Sequence, residues 1–246
     1  MIKIITMITK FIIVTLTALL FASCNFSGNM KSIRGNGHVT TEKRIISGDF
    51  KSVEVSNAID LVIEQSDKTE ITVEADDNLQ KEITTKVENG VLIIECDYNS
   101  FINIKSKKVT VKMPFIDKLE ASSSSTIKSI NTLKGESISL EASSAGSINV
   151  NLEADSVICE ASSGSTITVS GKALKLQTVS SSGSEIEAKG LLANDITANS
   201  SSGSSISIHP LVSLNAKASS GSEINYDIVP KKITKEESSG SSISKE

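Results

Sequence analysis

SSGSTI, at Ser162–Ile167, is one of seven related six-residue blocks that recur along the chain from residue 122 onwards. The others are SSSSTI at Ser122–Ile127, SSAGSI at Ser143–Ile148, SSGSEI at Ser181–Ile186, SSGSSI at Ser201–Ile206, SSGSEI at Ser219–Ile224 and SSGSSI at Ser238–Ile243. Their closing isoleucines follow one another at intervals of 21, 19, 19, 20, 18 and 19 residues. A period this regular indicates a repeat architecture, in which each unit needs its neighbours to bury its apolar face.

The segments between the blocks alternate apolar and polar residues. Residues 138–142 place Ile, Leu and Ala on one face, and residues 157–161 place Val, Cys and Ala at the equivalent positions. A period of two over a short run predicts a β-strand. Each unit therefore reads as a strand, an SSGS corner, a second strand and a second corner.

Stacked units would align equivalent residues in columns, with the closing isoleucines as the first column. A second column, just before each block, is made mostly of small residues: Ala121, Ala142, Ala161, Ser180, Ser200, Ala218 and Glu237. A third column reads Leu119, Leu140, Cys159, Thr178, Ala198, Ala216 and Lys235. The corner glycines form a fourth, which suggests a shared positive φ or a close contact. The sequence thus predicts an all-β protein, a β-solenoid (β-helix) with about 19 residues per coil and serial SSGS corners; a sandwich of hairpins is the alternative.

The last coil departs from this pattern because it becomes charged. Its charged residues are Lys231, Lys232, Lys235, Glu236, Glu237, Lys245 and Glu246. Charge at the open end of a stack of strands blunts edge-to-edge pairing. We therefore interpret this coil as a cap and not as a binding site.

Residues 46–115 also read as strands. Asn89-Gly90 between two apolar runs is a strong hairpin signal, and residues 76–83 fit one short helix capped by Asp or Asn. No linker separates this region from the repeats. We expect residues 46–115 to form an N-terminal β region continuous with the solenoid, and residues 116–246 to form its repetitive part.

The first residues read as an export signal and not as part of the fold. Two lysines precede the apolar run Phe11–Phe21, which is too short to span a bilayer, and two small residues lead to Cys24. This arrangement resembles a bacterial lipoprotein signal. The resemblance implies cleavage of residues 1–23 and lipid on Cys24, whereas an ordinary signal peptide is the alternative. Residues 24–45 then read as the lipidated Cys and a flexible tether.

The composition excludes several classes of function. The 246 residues contain no Trp, two Tyr and six Phe, so stacking platforms for sugars or bases are scarce. A net charge of −4 argues against a nucleic-acid partner, and two His with three Cys argue against a zinc site. If Cys24 is lipidated, Cys96 and Cys159 could form a disulfide, but Cys159 lies in a core column and we expect two buried free thiols.

Candidate catalytic groups are few. Glu185 and Glu223 share an outward column two coils apart, roughly 10 Å at about 4.8 Å per coil, which is near the upper end of the spacing in inverting glycosidases. Two solvated surface residues are the simpler interpretation. Neither His38 nor His209 has a convincing Ser or Cys partner. Thr166–Thr168 is the single T-x-T motif within the repeats, whereas ice-binding solenoids repeat this motif in register. The sequence therefore predicts no catalytic residue, no metal and no cofactor.

Two stretches before the SGS blocks resemble the head GIN domain of auto-transporter adhesins. They are ISGDFKSVEVSNAIDLVIEQ at Ile46–Gln65 and KKVTVKMPFIDKLEASSSSTI at Lys107–Ile127. The resemblance covers about residues 46–246. It implies a β-helical cell-envelope protein, in a family with many lipoproteins of Bacteroidetes-type bacteria and no established enzymatic residues.

These observations lead to one main hypothesis and two alternatives. The main hypothesis is a non-catalytic adhesive or structural module, exported and lipid-anchored to the outer membrane through Cys24, which presents its sheets to a glycan or protein surface ligand. The first alternative is a periplasm-facing envelope scaffold or sensor, because the tether lacks the acidic cluster that marks surface export in some Bacteroidetes lipoproteins. The second, a minor one, is a carbohydrate-active enzyme on a β-helix.

Overall fold

The computed structural model describes Lys10 and residues 31–246, and strands joined by tight corners follow one another along this part of the chain. The strands before the repeats are β1 (Ser32–Arg34), β2 (Val39–Arg44), β3 (Ser52–Val55), β4 (Asp60–Gln65), β5 (Glu70–Asp76), β6 (Ile83–Glu88), β7 (Val91–Cys96), β8 (Ser100–Ile102) and β9 (Lys107–Met113). Those of the repeats are β10 (Lys118–Ala121), β11 (Thr126–Ser129), β12 (Leu133–Ala142), β13 (Ser147–Ala161), β14 (Thr166–Ser180), β15 (Glu185–Ser200), β16 (Ser205–Ala218), β17 (Glu223–Tyr226), β18 (Lys232–Glu237) and β19 (Ser242–Lys245).

The repeats stack as parallel coils in the register that the sequence predicts. The seven closing isoleucines pair directly from Ile127 to Ile243. The third column also pairs residue for residue, from Leu119 to Lys235. Because the strands of successive coils pair in parallel, the β-solenoid is confirmed and the sandwich of hairpins is excluded.

Each SSGS corner is a turn with two successive residues at positive φ. In SSGSTI these are Ser163 at 55° and Gly164 at 69°, as a type I′ turn requires. Ala145 adopts the same conformation in its own corner, at 61°. A Cβ added to Gly164 would meet nothing within 4 Å. The glycine column therefore reflects positive φ and not a close contact.

The last serine of each SSGS block turns into the solenoid. Its hydroxyl accepts a hydrogen bond from the backbone N–H of the first serine and lies 2.8 Å from a carbonyl oxygen of the preceding coil. These serines are Ser165, Ser184, Ser204, Ser222 and Ser241. The serine ladder thus satisfies corner backbone groups and links neighbouring coils.

The N-terminal region joins the same stack, but its coils do not follow chain order. The coil of β3 and β4 lies between the coil of β7 and β9 on one side and that of β10 and β11 on the other. β5 and β6 then pair antiparallel with β9 and β7. The predicted hairpin is present, with Asn89 and Gly90 at φ of 51° and 78° joining β6 and β7.

The short helix expected over residues 76–83 is only a 3-10 turn at Asp77–Leu79, and the Asp76 side chain does not cap it. The Asp76 carboxylate is fully buried and accepts hydrogen bonds from the backbone N–H groups of Gly37 (2.7 Å), Lys105 (2.7 Å) and Ser106 (3.1 Å). It clamps three segments together. Burial alone would raise the pKa of Asp76, but these hydrogen bonds outweigh it and lower the pKa.

The Asp76 clamp also corrects the expectation of a flexible tether over residues 24–45. That prediction is wrong for its second half. β1 pairs parallel with β8, and β2 pairs antiparallel with β5. The loop between β1 and β2 is fixed on the Asp76 carboxylate, a contact between residues far apart in the chain that no local pattern reveals.

The buried side chains form one hydrophobic core, made mainly of stacked aliphatic residues, which continues from the N-terminal region through the repeats. Cys96 and Cys159 are both buried in it as free thiols, as expected. Burial raises the pKa of the Cys159 thiol to about 12, so this group is unreactive at neutral pH.

The C-terminal coil closes the stack with charged residues at core positions. Lys235 donates a hydrogen bond to the carbonyl of Ile243 (2.9 Å), and the N–H of Ile243 donates to the Glu237 carboxylate (3.0 Å). The Lys235 ammonium also lies 4.6 Å from the centre of the Tyr226 ring. These contacts agree with the interpretation of the last coil as a cap.

Candidate binding surfaces

Each coil presents three outward faces. In the coil that follows Ser184, the second face is Glu185–Lys189, the third face is residues 190–195, and the first face is residues 196–199, which lead to the next SSGS corner. Equivalent segments of other coils align with these through the strand pairing. The three faces are therefore three ribbons that run along the solenoid axis.

A groove runs along the edge between the first face and the SSGS corners. Its floor is the column of small residues, including Ala142, Ala161, Ser200 and Ala218. One wall is an outward column of the first face, and the other is formed by the first serines of the corners. Wall residues are Glu120, Glu141, Glu160, Val179, Asn199, Lys217 and Glu236 on one side and Ser143, Ser162, Ser181, Ser201, Ser219 and Ser238 on the other. We call this the corner groove.

The N-terminal end of the corner groove is acidic. Glu120, Glu141 and Glu160 pair in register on successive coils, and Glu54 precedes them in the same column. Lys118 neutralises part of this charge, because its ammonium lies 3.0 Å from the Glu120 carboxylate and 2.8 Å from that of Glu141. Burial and the neighbouring Glu120 raise the pKa of Glu54.

Sequence reasoning missed this glutamate ladder, although a signal was present. Glu120, Glu141 and Glu160 each stand one residue before the small-residue column, at a constant offset in the repeat. Further along, the same column changes to Val179, Asn199 and Lys217. The groove therefore keeps its small floor while the charge of its wall changes along the axis.

The second face carries the carboxylates that were considered as a catalytic pair. Glu185 and Glu223 are in one column with Ser205 between them, as the repeat predicts. Glu187, which the sequence analysis did not single out, lies beside Glu185, and burial together with Glu185 raises its pKa. Glu185 and Glu223 are exposed and Glu187 is half-buried, so water reaches all three carboxylates.

The other candidate residues are scattered. Cys24 lies outside the described residues. His38 contacts Asp77 (3.2 Å) and His209 contacts Asp227 (2.9 Å), and both pairs are at the surface. Within residues 31–246 no three His, Cys, Asp or Glu side chains are grouped so that they could hold a metal ion. No helix in the described part of the chain is long and apolar enough to cross a membrane.

The parallel coils, the serial corners and the ribbon-like polar faces define a β-solenoid. The chain belongs to the family described as "putative auto-transporter adhesin, head GIN domain", whose model matches residues 49–230. The resemblance noted in the sequence is thereby confirmed. A search of curated protein sequences gives no significant match.

Solved structures show the same fold. A putative adhesin from Bacteroides fragilis superposes with a TM-score of 0.81 at 19% identity, covering 87% of this chain and all of the other. A putative lipid binding protein from Parabacteroides distasonis gives 0.72 at 23% identity, covering 88% of this chain and all of the other. A putative adhesin from Parabacteroides merdae gives 0.70 at 20% identity, covering 88% and 99%. The family and these neighbours are named as binding proteins and not as enzymes.

Proposed function

We propose that the protein is a non-catalytic adhesive module of the cell envelope that holds an extended polar ligand in the corner groove. The observation that carries this proposal is the succession of two depressions that meet at Val179 and together extend from Glu120 to Ser238 over successive coils, with a floor of small residues. A ligand with repeating hydroxyl, amide or cationic groups would meet an equivalent serine at each coil. Many weak contacts of this kind add up through effective concentration.

The chemistry of the groove favours hydrogen bonding over stacking. Its walls carry serine hydroxyls, carboxylates and one ammonium, and no aromatic ring lines it among the described residues. A glycan or an extended polypeptide segment fits such a surface. The acidic end favours ligands that carry positive charge or many donors.

Solid-phase binding of the purified protein to arrays of glycans and matrix proteins tests this proposal. Because one structural neighbour is named for lipid binding, vesicles belong in the same panel. Asn199→Trp places a large ring on the groove wall, and we expect it to reduce binding of any captured ligand at least about tenfold. Asn225→Trp makes the same change on the second face and is the matched control. Absence of binding across the whole panel would contradict the adhesive role.

We also propose that residues 1–23 are a cleaved signal peptide and that Cys24 carries the lipid anchor. The motif at residues 11–24 supports this. Metabolic labelling with an alkyne fatty acid tests it, and we expect label in the wild-type protein and none in Cys24→Ala. Retained label in the variant would contradict anchoring through this residue.

A periplasm-facing scaffold is the second candidate, and the sequence between Cys24 and β1 favours it because no acidic cluster follows the cysteine. Protease shaving of intact cells separates the two candidates. Loss of the protein while a periplasmic control survives would support adhesion at the cell surface. Survival until the outer membrane is permeabilised would support the scaffold, provided that the purified protein is cleaved by the same protease.

A further inference from the structure

The third face carries most of the exposed apolar surface of the protein. Twelve large apolar side chains are exposed in the described part of the chain, and eight of them lie in third-face segments. These eight are Ile45 (99% exposed), Phe115 (63%), Leu174 (52%), Leu192, Leu211, Val212, Ile228 and Val229 (59%). Such a concentration on one ribbon of a soluble module marks an interaction surface.

The order of the third-face segments along the axis follows from backbone contacts. Gly135 pairs with Ala154, which pairs with Ala173, and Ala193 and Pro210 continue the row. On the other side, the Gln65 side chain bridges the carbonyls of Pro114 and Lys134 (3.0 and 2.9 Å), and the N–H of Asp117 donates to Lys51 (2.8 Å). The segments therefore stack in the order 45–51, 114–117, 133–137, 152–156, 171–175, 191–195, 210–213 and 228–232.

This order gives the ribbon two apolar ends and a charged middle. The N-terminal apolar patch consists of Ile45, Ile46, Phe50, Pro114 and Phe115, in a groove whose rim also carries Arg44, Asp49 and Lys51. The C-terminal apolar patch consists of Leu174, Leu192 and Leu211, extended by Val212, Ile228 and Val229. The three leucines line one groove together with Glu153, Asp155 and Lys172, so this patch adjoins the charged middle directly. Between the patches, the coil of Glu153 and Asp155 is acidic and the next coil, with Lys172 and Lys175, is basic.

Asp155, Lys172 and Lys175 are exposed and form no ion pair within residues 31–246. Glu153 in the acidic row, by contrast, pairs with Lys134 (3.4 Å). The two adjacent rows are self-complementary when the ribbon is turned end for end. A twofold axis between the two rows would face each acidic row with the basic row of a second copy.

We propose that the third face is a self-association surface on which two copies of this chain pack antiparallel about that twofold axis. The rotation brings the segment of Asp155 in each copy opposite the segment of Lys172 and Lys175 in the other, so that Asp155 faces the position between the two lysines. It also sets the segment of Phe115 opposite that of Leu211 and the segment of Ile45 opposite that of Val229. The axis therefore pairs charge with opposite charge at the centre and apolar with apolar at both ends, and between them the segment of Lys134 and Glu136 faces that of Leu192.

The size of the ribbon sets the strength of this contact. Eight segments at about 4.8 Å per step are about 34 Å long, and a strand of five residues is about 16 Å wide. The dimer would bury roughly 1,000 Å² in total, which is at the lower limit of specific interfaces. We therefore expect a weak, concentration-dependent dimer with a dissociation constant in the micromolar range.

Sedimentation velocity on the mature chain with Cys24→Ser tests the proposal, since this variant keeps all of residues 31–246 and removes the predicted lipid. Asp155→Lys and Lys172→Asp each place like charges opposite one another twice in the dimer, and we expect each to weaken association about tenfold or more. A mixture of the two variants restores both opposite-charge pairs and should recover association. Glu223→Lys on the second face is the charge-matched control and should leave association unchanged.

Several results would overturn the proposal. Wild-type protein that stays monomeric up to about 1 mM would do so, as would single variants that associate normally or a mixture that fails to recover. Vesicle binding that is lost in Leu211→Lys, with a wild-type protein that stays monomeric, would assign the surface to lipid instead. Circular dichroism melting curves show whether each variant folds. Because self-association is measured without any ligand, its failure is distinct from failure of the proposed adhesive function.

Discussion

The two halves of the solenoid reach the same core in different ways. In the coils of β12–β16, each coil pairs with its neighbours in sequence, and identical serine contacts recur from coil to coil. In residues 31–113, the coil of β3 and β4 is inserted between coils that come later in the chain, and single side chains such as Asp76 hold the segments together. Stability is shared among repeated contacts in one half and concentrated in unique contacts in the other.

This difference predicts how each half responds to substitution. In a stack where each coil contacts only its neighbours, loss of one repeated interaction removes only a small part of the total free energy of unfolding. Loss of a unique clamp opens a whole segment at once. The predictions below compare such positions, beginning with the largest expected change in stability.

Asp76→Ala should cause the largest loss, because it leaves the three backbone N–H groups of Gly37, Lys105 and Ser106 without their buried acceptor. At about 1–3 kcal/mol for each orphaned donor, we expect the free energy of unfolding to fall by about 5 kcal/mol. Urea unfolding measures this change. Limited proteolysis should show new cleavage in residues 31–45, and Asp67→Ala, at an exposed loop position, is the control. An intact N-terminal segment in Asp76→Ala would contradict the clamp.

The same clamp has a pH dependence of known sign. The pKa of Asp76 is lowered by folding, so its contribution is fully present above the unfolded value of about 3.9 and is lost as the pH falls through the lower folded value. Unfolding measured against pH should therefore show an acid-dependent loss in the wild-type protein that is smaller in Asp76→Ala. Parallel acid profiles for the two proteins would contradict this assignment.

Gly171→Ala should be the most damaging glycine substitution in the repeats. Gly171 has a φ of 117°, and an added Cβ would lie 1.9 Å from the carbonyl oxygen of Leu152. We expect a loss of about 3–4 kcal/mol in the free energy of unfolding. Gly164→Ala is the matched control, since its Cβ would be in open space, and it should cost about 1 kcal/mol. Equal losses in the two variants would show that φ alone, and not contact, sets the cost.

The two halves also differ in how much the sequence reveals. The columns, corners and period of residues 116–246 can be predicted from the sequence because the same pattern occurs seven times. Once one column is aligned, the positions of the others follow. The insertion of β3 and β4 between later strands is not readable, because alternating patterns identify a strand but not its partner. The Asp76 clamp gives no local signal either, since its donors lie 39, 29 and 30 residues away.

The two candidate surfaces also differ in whether they could be predicted from the sequence. The glutamate ladder of the corner groove could have been found, because Glu120, Glu141 and Glu160 keep a constant offset in the repeat. The third face could not, because Ile45 and Phe115 reach it from the irregular half and a bulge in β16 shifts the register beside Leu211. A surface can be predicted from the repeat only where residues of the repeat form all of it.

Ser204→Ala tests the redundancy of the serine ladder. The hydroxyl of Ser204 lies 2.8 Å from the Ser180 carbonyl and accepts from the Ser201 N–H at 3.2 Å. That carbonyl also accepts from the Ser201 N–H at 3.0 Å, so it keeps one donor in the variant. We expect a loss of only about 1 kcal/mol in urea unfolding. Ser205→Ala, at an outward position, should be near neutral, and a loss above about 3 kcal/mol for Ser204→Ala would show that the ladder is cooperative.

Thr178→Val should give the smallest change, and in the opposite direction. Thr178 is fully buried in the third column between Cys159 and Ala198, and its hydroxyl has no hydrogen-bond partner among the described residues. Valine has the same shape without the polar atom, so we expect the free energy of unfolding to rise by about 1 kcal/mol. Thr197→Val, at the exposed neighbouring position, is the control and should change stability by less than about 0.5 kcal/mol. A less stable Thr178→Val would mean that the hydroxyl is satisfied in solution, and that even the repeated half contains a contact specific to one coil.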